Sequence, residues 1–231
     1  MKTSIIIPTY NERENIAELC ERIFKNNPAD VGIIFVDDNS PDGTAEIILV
    51  LAQKYPIVLI QRTVKLGLGS AYIAGFKRAL ANGADLIMEM DADLSHAPED
   101  VARLIQAAQD ADLVIGSRRV SGGKITGWNK RRHFTSAAAT WFARLMLGLK
   151  TYDVTAGFRC YRRQVLEKIN LNKIKSNGYA FQEEMLFLVE RLGFHVKEIP
   201  VTFNDRARGK SKLSFRDIAE YFLTMARLFV K

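Results

Sequence analysis

Cysteine is scarce in this chain of 231 residues: Cys20 and Cys160 are the only two, and their spacing suits no metal site. Nothing in that usage points to an oxidising compartment. Long hydrophobic runs are also missing. No stretch approaches about 18 uncharged apolar residues, so no membrane-spanning helix is expected. Met1-Lys2-Thr3-Ser4 runs straight into strand-like sequence, so no signal peptide is expected, and a cytoplasmic protein is the reading. Neither a Gly-x-Ser-x-Gly nor a Walker sequence occurs, which argues against acyl hydrolysis and P-loop chemistry. Three histidines are too few and too dispersed for a histidine metal site. His96 and His195 lack a partner at ligand spacing, and His133 is expected to be solvated within a basic patch.

What is present is an ordinary globular composition, 48% hydrophobic and 26% charged, enough for one sizeable core. The net charge of +7 conceals an asymmetry. Residues 1–116 carry 10 Lys/Arg against 17 Asp/Glu, a net of −7, and the remainder carries 23 against 9, a net of +14. Between Arg118 and Arg132 stand six basic residues and no acid. Solvated helix faces account for many such charges, but a block this one-sided suits an anionic partner, phospholipid or nucleic acid included.

The first half alternates strand and helix patterns. Ile5-Ile6-Ile7, Ile33 to Val36, Ile57 to Ile60, Leu86 to Met90 and Leu113 to Ile115 read as buried strands. Ile16, Leu19, Cys20, Ile23 and Phe24 recur at helical spacing, and further helices are expected from Thr44, as a cap, to Ala52, around Ala71 to Leu80, and from Pro98. Repeated β–α units imply a mostly parallel sheet with helices on both faces. Beyond Gly116 the expectation is a Gly-rich basic loop to Lys130, helices near Thr135 to Leu147 and Phe181 to Leu192, and a late strand from Val196 to Phe203. A polar basic loop from Asn204 to Lys212 then leads to a last helix with Phe215, Ile218, Phe222, Met225 and Phe229 on one face. Gly67-Leu68-Gly69 reads as a turn, since Gly75 is misplaced for a dinucleotide fingerprint.

Ligands of open α/β sheets bind outside the carboxyl ends of the strands. Three clusters should meet there: Pro8-Thr9-Tyr10-Asn11-Glu12, Asp37-Asp38-Asn39 and Asp91-Ala92-Asp93. Tyr10 suits a nucleobase face, Glu12 or Asp38 suits base or ribose donors, and two carboxylates one residue apart suit a divalent cation against a diphosphate. Turn chemistry explains Asp37-Asp38 about as well. Acidic residues ending three separate strands are harder to explain that way.

These stretches, with Val36 through Thr44 and Met90 through His96, resemble the inverting family 2 glycosyltransferases. Gly116-Ser117-Arg118, Asp153 through Arg159, Gly178 through Met185 and Arg206 through Leu213 narrow the resemblance to the dolichol-phosphate (polyprenol-phosphate) mannosyltransferases. It implies an α/β GT-A fold, with a catalytic domain over 1–213, its donor half at 1–116 and acceptor half at 117–213, followed by an amphipathic helix at 214–231. It further implies that Pro8, Tyr10, Glu12, Val36 and Asp38 hold the guanosine of GDP-mannose. Asp91, Ala92 and Asp93 would meet the diphosphate, with Mg²⁺ or Mn²⁺ on Asp91, Asp93 and Ser95, the last where some relatives have glutamine. Arg118, Arg132 and Ser136 would grip the phosphate of a polyprenyl or dolichyl acceptor, with Asp93, Arg118 and Arg132 central to catalysis. Arg118, Arg206 and Lys212 would also bind the donor, the last two where the family closes a loop over it.

A phosphate monoester acceptor is largely dianionic at pH 7 and needs no general base, so the lack of an evident one is consistent. The implied location is peripheral, at the cytosolic face of a membrane, against the lipid surface or a membrane-spanning partner subunit. Rival readings are a UDP-sugar polyprenol-phosphate transferase, a phosphatase of the haloacid-dehalogenase type and a non-catalytic binding subunit. No nucleic-acid module accompanies the basic half, so no nucleic-acid partner is expected.

Overall fold

A computed structural model of the chain describes residues 1–26, 30–178, 180–205 and 215–229, without the side chains of 215–220. Seven strands form the main sheet: β1 (Thr3–Thr9), β2 (Val31–Asp37), β3 (Ile57–Gln61), β4 (Leu86–Glu89), β5 (Leu113–Ser117), β7 (Arg159–Arg162) and β8 (Val196–Pro200). Their spatial order is β3-β2-β1-β4-β7-β5-β8, and β7 alone runs antiparallel, between β4 and β5. A strand from the second half of the chain therefore sits inside the sheet begun by the first. β6 (Lys124–Thr126) and β9 (Thr202–Asn204) pair separately, in parallel.

The apolar runs are continuous because both sheet faces are covered. Ile5, Ile7, Ile33, Phe35, Leu86, Met88 and Val114 pack on one face, with α1 (Arg13–Asn26) and α4 (Val101–Ala107) over them. Ile6, Ile34, Val36, Ile87, Leu113 and Ile115 pack on the other, under α3 (Leu68–Ala81) and α7 (Ala180–Arg191). Cys20 is a core residue, as its place on the α1 stripe implied, and burial pushes its thiol up to about 12. A Cβ on Gly75 would collide with Ile6, so glycine lets α3 lie close on β1.

Several local expectations are corrected. Thr44 does not cap α2 (Thr44–Leu51): Gly43, at φ 85°, holds the cap position. The Thr44 hydroxyl instead donates to Asp42 Oδ1 at 2.6 Å and accepts the Glu12 N–H at 3.0 Å, tying β1's loop to α2. The single late strand is two, β8 and β9, in different sheets, and the expected basic loop contains β6. α5 (Lys130–Leu147) begins five residues ahead of Thr135 because Asn129 caps it, accepting the Arg132 N–H at 2.9 Å. Gly67, at φ 96°, caps α3 rather than forming an isolated turn. β7 and the short α6 (Arg163–Lys168) had no counterpart in the sequence reading.

The last helix, α8 (Phe215–Phe229), also turns differently from its apolar stripe. Among its described side chains Met225 and Leu228 are the buried apolar ones, whereas Phe222 and Phe229 are exposed. Phe215 and Ile218 have side chains outside those described. Tyr221 anchors α8 to α5 by donating to the Ala139 carbonyl at 2.7 Å. Among the described residues no helix is long and apolar enough to cross a membrane.

Candidate active site

Parallel pairing of β2-β1-β4 brings the three acidic clusters together at one sheet edge. The Asp38 N–H donates to the Thr9 carbonyl at 3.0 Å and the Met90 N–H to that of Ile6 at 3.2 Å, so the strand ends stay in step. Asp37 is a structural residue. Fully buried, it accepts from Thr9 Oγ1 at 2.8 Å, Ser40 Oγ at 2.6 Å and the Ser40 N–H at 2.9 Å. Asp38 points elsewhere: Arg62 ion-pairs with it and the Gly67 N–H reaches it at 3.2 Å. Lys65 Nζ lies 3.9 Å from the centre of the Tyr10 ring. Glu12 Oε2 accepts from Asn15 at 2.9 Å. Val36 has no exposure and Pro8 is half-buried, so Val36 supports this edge from beneath.

Asp91 is 37% exposed at its side chain, while Asp93 and Ala92 are buried. Asp93 Oδ1 accepts the Ser95 N–H at 3.1 Å, turning the chain just after the pair. The Ser95 Oγ is buried without a hydrogen-bond partner. The histidine expected to stand apart is part of this site. His96 is stacked on Phe158 with 4.9 Å between ring centroids and lies edge-on to Phe203 at 5.6 Å. Its Nδ1 accepts the Asp91 N–H at 3.2 Å, which leaves the proton on Nε2, 4.0 Å from Asp91 Oδ2. Burial holds this ring neutral, bringing its pKa down to about 4; Asp93 opposes that shift and Arg118 adds to it.

A buried polar layer underlies the pair. Glu89 faces Arg159 across β4 and β7; burial pushes its carboxyl up to about 7, with Arg159 pulling the other way. Arg159 is fully buried and donates to the carbonyls of Ala156 at 2.7 Å, Val154 at 2.8 Å and Gln182 at 2.8 Å. It thereby locks the 154–156 loop to the first turn of α7. Sequence reading missed Arg159, because a basic residue in a short strand carries no sign of three carbonyls converging on it.

The basic side begins where β5 ends. Arg118 donates from Nε to Asp153 Oδ2 at 2.8 Å, from Nη2 to Oδ1 at 2.6 Å and from Nη2 to Thr155 Oγ1 at 2.7 Å. Asp153 has no exposure, and its own loop is pinned by Glu198, which accepts the Tyr152 and Asp153 N–H groups at 2.8 and 2.9 Å. The Arg118 guanidinium also lies 5.2 Å over Phe203, the ring that meets His96, so the acidic and basic clusters face each other across Phe203. Arg132 stacks 4.1 Å over Trp128 and donates to Asp205 at 2.9 Å. Ser136 Oγ accepts from Arg119 Nη2 at 2.8 Å. Arg206 and Lys212 lie outside the described residues.

Two carboxylates at the end of a central strand, two further acid-bearing strand ends beside them and a facing arginine cluster are the features of a GT-A glycosyltransferase. The comparisons agree. Residues 4–170 match the model of glycosyl transferase family 2. The chain is 46% identical to the polyprenol monophosphomannose synthase of Mycolicibacterium smegmatis, over 97% of this chain and 86% of that protein. It is 45% identical to the undecaprenyl-phosphate mannosyltransferase of Micrococcus luteus, over 98% and 93%. Glucosyl-3-phosphoglycerate synthase from Mycobacterium tuberculosis, solved with phosphoglyceric acid, superposes with a TM-score of 0.73 at 17% identity, covering 99% of this chain and 80% of that one. A mannosyltransferase from Pyrobaculum calidifontis, solved with GDP-Man and Mn²⁺, gives 0.66 at 17% identity, covering 98% and 64%. The chain belongs to glycosyltransferase family 2.

Proposed function

We propose that this enzyme transfers mannose from GDP-mannose to a polyprenyl phosphate, inverting the anomeric carbon and releasing GDP. The observation that carries the reading is the meeting of a strand-end carboxylate pair with an arginine cluster across Phe203. The names of relatives with 45–46% identity supply the sugar and the lipid phosphate. Pro8, Tyr10, Glu12 and Asp38 would receive the guanosine, with Val36 behind them, and Arg206 and Lys212 would act over the donor.

The carboxylates suit a divalent ion, Mg²⁺ or Mn²⁺. Asp91 is open to solvent, Asp93 is braced beside it, and the Ser95 hydroxyl is an unused buried oxygen. No described group of three His, Cys, Asp or Glu forms a complete cage, so further oxygens would come from the donor diphosphate. Bound there, such an ion would stabilise negative charge on the departing diphosphate. The chain's own residues do the rest. The arginines neutralise and orient the acceptor phosphate against the donor. Two carboxylates underlie them, and neither is a ready base. Asp153 is the counter-ion of Arg118, and burial pushes Glu183 up to about 8. A dianionic phosphate oxygen requires none.

A lipid substrate also fits the surface. Phe134, Trp141 and Leu145 are exposed along α5, whose first turn carries Lys130, Arg131 and Arg132. Phe222, Leu223 and Phe229 are exposed on α8, with Phe222 against Phe142 of α5 at 5.5 Å. Together they would lie on an anionic membrane, peripherally. Replacing Phe134 and Trp141 by Ser is expected to weaken binding to phosphatidylglycerol vesicles at least about tenfold. Transfer to a short, detergent-solubilised prenyl phosphate should be unchanged. Equal vesicle binding by the variant would remove this face from the account.

The deciding assay is transfer from radiolabelled GDP-mannose to undecaprenyl phosphate with Mn²⁺, with the product extracted into chloroform. A chelator should abolish it. Thermal stabilisation by GDP should exceed that by UDP at equal concentration. The reverse order would replace mannose with a UDP-linked sugar.

A further inference from the structure

A short segment, residues 174–178, joins α8 to the donor edge of the sheet. On the inner face of α8, Arg227 Nη2 donates to Glu184 Oε2 and to Ser176 Oγ, both at 3.1 Å. Thr224 Oγ1 lies 3.3 Å from the same serine oxygen. Glu184, buried on α7, also accepts the Lys175 and Ser176 N–H groups at 3.1 and 2.9 Å and the Ser176 hydroxyl at 2.6 Å. The segment is thus held from α7 while α8 closes over it. The seating of α8 is marginal here, because Glu184 Oε1 and Arg227 Nε are buried without hydrogen-bond partners.

The next residue, Asn177, grips the first turn of α3. Its carbonyl accepts the Gly69 N–H at 2.8 Å, its Oδ1 accepts the Ser70 N–H at 3.1 Å, and its Nδ2 donates to the Leu66 carbonyl. A helix start leaves such N–H groups without intrahelical partners, and the Gly67 cap has no side chain to receive them. The approach is close: a Cβ on Gly69 would stand 2.6 Å from the Ser176 carbonyl oxygen. This turn in turn organises the donor edge. The Gly67 N–H donates to Asp38, while Ser70 Oγ and the Gly67 carbonyl receive Arg62, the ion-pair partner of Asp38. Tyr72, also on α3, donates to Asp91 Oδ1 at 3.5 Å. Direct contacts therefore run from α8 to both Asp38 and Asp91.

We propose that Asn177 is a positioning residue for the donor nucleotide, and that the seating of α8 through Arg227 sets how firmly it holds the donor edge. A surface that supports α8 from outside, under Phe222 and Phe229, favours the seated helix. A nucleoside diphosphate at Asp38 favours the braced α3 turn. Both ligands select one arrangement, so each strengthens the binding of the other. Naming the surface as anionic lipid and the nucleoside as guanosine rests on the function proposed above.

The test is calorimetric titration of the full chain with GDP and Mn²⁺, with and without phosphatidylglycerol vesicles. In the wild type, vesicles are expected to lower the GDP Kd about fivefold or more, and saturating GDP should tighten vesicle binding by the same factor. Asn177→Ala should raise the GDP Kd about tenfold and lose the response to vesicles while still binding them. Arg227→Met should also raise the GDP Kd and lose the response, and Arg227→Lys, which keeps the charge, should recover part of both. A purely structural role would lower the melting temperature and leave the GDP Kd of the folded variants at the wild-type value. That result, or vesicles that bind the wild type without changing its GDP Kd, would overturn the inference. If Arg227→Met does not fold because Glu184 is stranded, the decision passes to Arg227→Lys and to Asn177→Ala, whose side chain is exposed. Vesicles that fail to bind the wild type would remove the peripheral location proposed above, and a raised GDP Kd in Asn177→Ala and Arg227→Met would still uphold the link. The same pattern with UDP and not with GDP would sink the guanosine reading and leave the coupling standing.

Discussion

Asp93→Ala is expected to lower mannose transfer at least about 100-fold at saturating donor and acceptor, the scale seen when one preorganised charge-stabilising group is removed. The loss should fall on kcat rather than on folding. The Asp93 hydrogen bond to the Ser95 N–H is local, and its loss should lower the melting temperature by only roughly 2–4 °C. The two strand-end aspartates stand side by side at the end of β4, with the Asp91 side chain 37% exposed. A divalent ion bound there would draw on both carboxylates. Asp93→Asn keeps shape and loses charge, and should fail almost as badly. If Asp93→Ala kept more than half the wild-type rate while a chelator still stopped the reaction, the ion would have to be held elsewhere.

Asp153→Ala should have the largest effect on stability. Removing one partner of a buried ion pair strands the other, and the cost is about 3–5 kcal/mol. For a chain of this length that corresponds to roughly 6–20 °C in melting temperature. The double variant Arg118→Met/Asp153→Leu should recover most of this loss, because two apolar side chains leave no buried charge. The pair also has a pH signature. Burial alone would raise the Asp153 carboxyl, but the Arg118 hydrogen bonds outweigh it and hold the carboxyl below its ordinary value. A depressed carboxylate stabilises the fold above the unfolded pKa of about 3.9 and ceases to do so as pH falls through the folded value. The wild type should therefore lose stability more steeply than the double variant below about pH 4. Parallel acid melts of the two proteins would show that the pair contributes nothing.

How far the sequence could be read depended on whether the deciding contacts were local. Ile5-Ile6-Ile7 and Leu86 through Met90 were legible as strands because a strand covered on both faces has no polar alternation to confuse it. Their ends were legible because the acids begin where the apolar run stops. β7 was not legible: Arg159-Cys160-Tyr161-Arg162 has a buried arginine whose partners are three carbonyls from two separate segments. The stripe on α8 was readable as amphipathic, yet Phe222 and Phe229 face outward. α8 meets α5 through Tyr221 and, of the stripe's described side chains, buries Met225, together with Leu228 from outside it.

By itself, then, the sequence determined the α/β architecture, the convergence of three acidic strand ends and the basic character of the opposing half. Periodicity and composition carry those properties locally. Only the tertiary structure decided how the charges are paired. Arg118 and Arg119 are like-charged neighbours in the chain, but Asp153, 35 positions from Arg118, hydrogen-bonds one and leaves the Nε of the other buried without a partner. Ion pairing depends on distances set by folding, and in this site a difference between 2.8 and 4.0 Å separates an arginine hydrogen-bonded to Asp153 from its neighbour beyond hydrogen-bond reach.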